Sequence, residues 1–176
     1  MTDATLSLAD DEAAALRAAF LGQMRMVPGA VAIVACADGG ERSGLAVTAW
    51  NSLTADPPML LACINRATGA YPLIERRRAF SLNVLASEDT EIVAIFAGQR
   101  GLRGNDRFND ADWHDGTLAQ PLLNDAIAAF ECEVEAMHDH GTHAIVVGKI
   151  AALHRSGEAH ALLYLDGSFT MAARRT

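Results

Sequence analysis

Two consecutive prolines inside an otherwise strand-like stretch constrain this chain most. Residues 43–68 read SGLAVTAWNSLTADPPMLLACINRAT. Pro57 and Pro58 have no N–H to give a ladder, so the chain must turn there between two strands. The pattern predicts a first strand over 44–52 and a second over 59–64, the latter ending in Asn65, Arg66 and Thr68. The first carries small, hydroxyl and amide side chains with one large aromatic, Trp50. A strand that only fills a core carries larger branched residues at its inward positions. Small residues let a flat ligand approach the backbone, while hydroxyls and amides bond its polar edge. The second strand is a continuous apolar run and is expected to be buried.

The rest of the chain alternates short strand patterns with a few helical ones. Residues 10–27 predict a helix with Leu16, Phe20, Leu21, Met24 and Val27 at helical spacing, stopped by Pro28-Gly29. A strand over 30–37 and a tight turn at Asp38-Gly39-Gly40 lead into the first strand above. A short helix follows Thr68, with Pro72 in its first turn. Next comes a strand over 80–85 with Asn83 in its middle, then a helix with Ser87 as N-cap and Gly98 as stop. Residues 98–120 lack apolar periodicity and predict a functional loop or lid. Strands follow over 127–137, with Glu131, Glu133 and Glu135 alternating outward, over 144–153, and over 161–171 with a bend at Asp166-Gly167.

This is not a strict alternation of strand and helix, so a doubly wound parallel sheet is disfavoured. The expected fold is mainly β: an antiparallel barrel with peripheral helices, in one domain of 176 residues. The acidic start has no basic region ahead of an apolar core, and no apolar run is long enough to span a bilayer, so a cytoplasmic location is expected. A net charge of −8 argues against nucleic acid or an anionic membrane as the main partner. Cys36, Cys63 and Cys132 sit singly in apolar runs and read as buried thiols of a reducing compartment.

No dinucleotide-binding or P-loop glycine motif is present, and no GxSxG supports a hydrolase. Asn65, Arg66 and Thr68 suit a phosphate chemically, although a strand-end turn with a solvated arginine is the plainer reading of those residues alone. His138, His140 and His143 lack a completing carboxylate or cysteine, so no metal is expected. His143 follows Gly141-Thr142 at a strand start, where it faces either solvent, the plainer reading, or a ligand cleft.

Taken together and in order, these pieces resemble the short-chain flavin reductase family. The resemblance rests on the 44–68 stretch, Asn83, Phe96-Ala97-Gly98, Asp106-Arg107-Phe108, Trp113, the 116–123 segment GTLAQPLL, Glu131-Cys132, Gly141-Thr142-His143 and the 163–169 segment LYLDGSF. It implies a split β-barrel of the Greek-key, FMN-binding type over 29–172 behind an N-terminal helical segment, 1–28. It also implies a homodimer that reduces FMN or FAD with NADH or NADPH and passes reduced flavin to a partner monooxygenase. By the same resemblance Val47, Thr48, Ala49, Trp50 and Asn51 line the flavin ring. Ser52, Asn65, Arg66, Thr68 and Asn83 follow its ribityl-phosphate tail, Phe108 and its loop cover the ring, and His143 sits near the nicotinamide or the flavin, as the candidate for orienting the nicotinamide. Ala46, Ala49 and Ala67 stand where hydroxyl residues are usual, which implies a diffusing rather than tightly held flavin. The alternative from another class is a non-catalytic flavin- or haem-binding protein on the same barrel.

Overall fold

The structure is a computed structural model that describes residues 3–109, 113–155 and 160–172. A helix, α1 (Asp3–Met24), precedes strands β1 (Gly29–Ala30), β2 (Ala32–Asp38), β3 (Glu41–Val47), β4 (Trp50–Ala55) and β5 (Pro58–Asn65). Helix α2 (Ala70–Arg77), strand β6 (Ala79–Val84) and helix α3 (Thr90–Phe96) follow, then a 3-10 turn over Gly104–Phe108. Short strands β7 (Trp113–Asp115) and β8 (Pro121–Leu123) lead to the long pair β9 (Ala128–His140) and β10 (His143–His154). The described chain closes with β11 (Leu162–Leu165) and β12 (Ser168–Met171).

The main sheet has seven strands in the order β3-β2-β6-β9-β10-β5-β4, and every neighbouring pair is antiparallel. Its two edges, β3 and β4, are consecutive in the chain, with only Thr48 and Ala49 between them. The mainly β expectation is therefore met, in a sheet that is not closed by hydrogen bonds. Gly39 and Gly40 both take positive φ in the two-residue loop between β2 and β3, a geometry that fits the right-handed twist of a hairpin and suits glycine.

Burial explains the sequence patterns. β2 and β6 lie inside the sheet with both faces covered: β2 is an apolar run, while β6 is buried throughout and carries the polar Ser81 and Asn83. On one face Val34, Leu60, Ile64, Phe80, Leu82 and Val146 pack together. On the other, Ile33, Leu85, Phe96, Leu122 and Leu162 do so. A fully buried side chain of this size contributes about 1.5–3 kcal/mol relative to exposure.

Several expectations need correction. The predicted strand over 44–52 is broken at Thr48-Ala49, with Trp50 starting a separate, largely exposed edge strand. β5 buries Leu60, Ala62 and Ile64 fully and their neighbours only in part, because its other face lies towards the surface. Asp89 rather than Ser87 stands at the N-cap position of α3, and its carboxylate makes no bond to the helix but accepts the Ala86 N–H at 2.9 Å. Residues 161–171 form a β11–β12 hairpin rather than one bent strand. Glu131 is wholly buried instead of pointing outward. Leu16, Phe20, Leu21 and Met24 of α1, spaced as for a core, are exposed in the single chain.

Candidate functional site

A cleft of about 370 Å³ opens where the two sheet edges part. Leu45, Ala46 and Val47 from the end of β3, the Thr48-Ala49 link, Cys63 and Asn65 from β5, and His143 from β10 line it. The link follows from the topology: the chain leaves the β2 ladder at Val47 and joins the β5 ladder at Trp50. Between those ladders the Ala49 carbonyl accepts the Cys63 N–H at 2.8 Å, while the N–H groups of Thr48 and Ala49 donate to no described residue. Both residues are exposed. Small side chains and two free backbone donors at a strand break suit the polar edge of a flat heteroaromatic ring.

The cleft continues into a second compartment of about 500 Å³, with Leu45, Thr68, Phe96 and Ala97 common to both. Ser43, Gly69 and the loop from Gly98 to Arg107 complete it. Phe96, which lines the groove, packs with the rings of Phe108 and Trp113 in edge-to-face and tilted contacts, with centroids 5.1–5.5 Å apart. Glu131 holds the segment that follows Trp113: its carboxylate accepts the N–H groups of Thr117 and Leu118, each at 2.7 Å. His154 stands 3.3 Å from the same carboxylate. Gly116 passes so close to Glu131 that an added Cβ would collide with the carboxyl group. Sequence reasoning missed Glu131 because alternation along an antiparallel strand says which side chains share a face, not whether that face is covered.

Of the residues expected at a flavin, Val47, Thr48, Ala49, Asn65, Thr68 and His143 come together in the cleft. Asn65 pairs with His143 across the β5–β10 ladder, which sets both at one end of the cleft. The Asn65 side-chain oxygen accepts the Ala67 N–H at 3.0 Å, and Thr68 donates its hydroxyl to the Asn65 carbonyl at 2.7 Å. His143 Nδ1 lies 2.9 Å from the Thr142 hydroxyl.

The other candidates stand elsewhere. Trp50 donates its indole N–H to the Ala30 carbonyl at 2.9 Å and, with Ser52, borders a different, apolar hollow; Asn51 is exposed on β4, its side-chain oxygen accepting the Ser52 N–H at 2.9 Å. Asn83 is wholly buried: it donates to the Ile33 and Pro121 carbonyls and accepts the Leu123 N–H at 2.9 Å. With its amide used to fasten β6 to the segment around β8, it is not on a ligand path. Phe108 is buried under the groove rather than over it. Arg66 forms an ion pair with Asp139 at 3.0 Å, stacks on Tyr71 and donates to the Gly141 carbonyl at 3.3 Å. It thus clamps the β9–β10 turn that presents His143. The Asp139 carboxylate also accepts the Tyr71 hydroxyl, and that bond raises the phenol's pKa. Residues 110–112 of the expected lid lie outside the described residues.

The three thiols differ, which corrects the expectation that all are buried. Burial pushes Cys36 and Cys132 up to about 12, so neither is a thiolate near neutrality. Cys63 is half-buried and lines the cleft. A thiol reagent is therefore expected to modify one cysteine per native chain, Cys63, and a ligand in the cleft to slow it severalfold. Peptide mapping of labelled protein with and without FMN checks this. Labelling of Cys36 or Cys132 at comparable rates would contradict it.

An open antiparallel sheet with a groove at its parted edges defines a ligand-binding β fold, and comparison with known proteins places it. The flavin reductase like domain profile matches residues 24–173. The chain is 34% identical over 143 residues to an FMN reductase (NADH) RutF 2 of Rhizobium rhizogenes, covering 81% of this chain and 82% of the relative. It is 33% identical over 153 residues to the 4-hydroxyphenylacetate 3-monooxygenase reductase component of Salmonella typhi, covering 87% and 90%. A solved Mycobacterium thermoresistibile homolog of nitrilotriacetate monooxygenase component B superposes with a TM-score of 0.82 at 26% identity, covering 91% of this chain and 88% of that one. The chain belongs to the flavin reductase family.

Proposed function

We propose that this protein is an NAD(P)H:flavin oxidoreductase that reduces FMN or FAD and supplies the reduced flavin to a partner monooxygenase. The observation that carries the reading is the cleft at the break between β3 and β4. There, small side chains, two backbone N–H groups with no partner among the described residues, and His143 meet around a space that fits a flavin ring. The bound flavin supplies the redox chemistry by taking a hydride from the nicotinamide at its N5. The protein's task is to hold two rings face to face and keep water out, which is orientation rather than acid-base work. In this reading Thr48 and Ala49 donate to the ring's polar edge, where negative charge grows on reduction. Leu45 and Val47 form the apolar floor, and His143 orients the nicotinamide.

The architecture is read as one domain, a split Greek-key barrel whose opening is the candidate site. Its working form is read as a homodimer in the cytoplasm. The apolar stripe of α1 and the exposed Tyr164, Phe169 and Met171 of the β11–β12 hairpin support a second copy, since monomers rarely leave so much apolar surface bare. Among the described residues no helix is long and apolar enough to cross a membrane.

The test follows nicotinamide oxidation in air with FMN, FAD or riboflavin added or withheld. Turnover that depends on added flavin is expected with at least one nicotinamide. Flavin binding without turnover by NADH or NADPH would replace the enzyme with a carrier or sensor.

A further inference from the structure

A flavin phosphate needs a cation, and in this chain Arg66 is occupied outside the groove by Asp139 and Gly141. Two other arginines line the groove, Arg103 and Arg107. Arg107 is committed to the fold: Nε donates to the Leu102 carbonyl and Nη1 to the Gly44 carbonyl, both at 2.9 Å, which fastens the loop to β3. Arg103 is exposed, and its side chain has no carboxylate or carbonyl partner among the described residues. The nearby arginines differ, since Arg42 pairs with Asp115 and Arg100 with Glu91.

The surroundings of Arg103 fit an anion. Among the described residues no acidic one lines its compartment, whereas Ser43 and Thr68 do. Ser43 donates to no described residue, and Thr68 keeps acceptor capacity beyond its bond to Asn65. Position fits as well, because this compartment is the direct continuation of the ring cleft past Leu45 and Thr68. Beyond it, Ser43, Gly69 and Gly104 also border a third hollow of about 420 Å³, flanked by Pro72 and Leu73, so a tail longer than one phosphate has room to continue.

We infer that Arg103 reads the phosphate of the flavin, so that FMN and FAD bind in preference to riboflavin. The inference rests on the flavin reductase reading above. A guanidinium meets phosphate through paired, charge-assisted hydrogen bonds, whereas riboflavin ends in a hydroxyl and offers only a neutral one. Arg103 takes the part that the family resemblance implies for Arg66.

The experiment titrates FMN, FAD and riboflavin into the flavin-free full chain by flavin fluorescence, with flavin-dependent NADH oxidation measured in parallel. Wild type, Arg103→Gln and Arg103→Lys are compared; the site is exposed, so the fold tolerates both changes. Arg103→Gln is expected to raise Kd for FMN and FAD about tenfold and for riboflavin less than about twofold, with Arg103→Lys recovering part of the loss. Equal loss for riboflavin, or none for FMN, overturns the inference. Phosphate-dependent binding through Arg103 without nicotinamide oxidation leaves it standing and removes the reductase reading. Turnover with an unaltered FMN Kd in Arg103→Gln does the reverse, and a wild type that binds no flavin ends both.

Discussion

Glu131→Ala is expected to lower stability by about 3–5 kcal/mol, among the largest effects of any single change in this chain. The carboxylate is wholly buried and is the acceptor for two backbone N–H groups, Thr117 and Leu118. Its removal takes a charged acceptor from both donors, at about 1.5–3 kcal/mol each, and leaves a void beside Gly116. Burying a charge is itself costly, so an apolar replacement can offset part of this loss if it packs well. Alanine does not fill the space and cannot accept a hydrogen bond. Glu131→Gln keeps one acceptor oxygen and the shape, and should cost less than half as much. Urea unfolding of the three proteins measures the difference. A loss below about 1 kcal/mol for the alanine variant would show that water replaces the carboxylate.

The second large effect is on turnover. His143→Ala is expected to reduce kcat with NADH by about tenfold or more, while the Kd for flavin changes less than about threefold. The geometry behind this is the position of His143 at the start of β10, opposite Asn65 and beside the break at Thr48-Ala49. Its ring is held only by Thr142 among the described residues, so its loss removes a group at the mouth of the cleft without opening the core. Stopped-flow reduction of bound flavin, together with flavin titration, separates the two quantities. Equal losses in both, or none, would move the nicotinamide to another part of the groove.

Much of this was legible in the sequence. The Pro57-Pro58 corner, the Gly39-Gly40 turn and the helix after Thr68 are all where local chemistry placed them, because each depends on backbone preferences of a few adjacent residues. Val47, Thr48, Ala49, Asn65, Thr68 and His143 were joined as a group by the family resemblance rather than by local chemistry, and they share one cleft. Asn83 and Phe108 were misplaced for a common reason. A buried amide and a ligand-binding amide look alike in sequence, as do a core aromatic and a covering one; only the packing of β8 against β6 and of Trp113 against Phe108 separates them.

Residues near one another in the chain determined the strands, turns and short helices, through periodicity and through the restrictions of proline and glycine. Tertiary structure alone decided which faces are covered and which charges are spent. Glu131 alternates with two exposed glutamates yet lies inside, because the β7–β8 turn folds over its face. Arg66 and Arg103 are equally basic as residues. Asp139, far along the chain from Arg66, neutralises one, while no carboxylate among the described residues reaches the other. A side chain's type sets what it can bind, and the company that distant segments bring sets what remains free to bind.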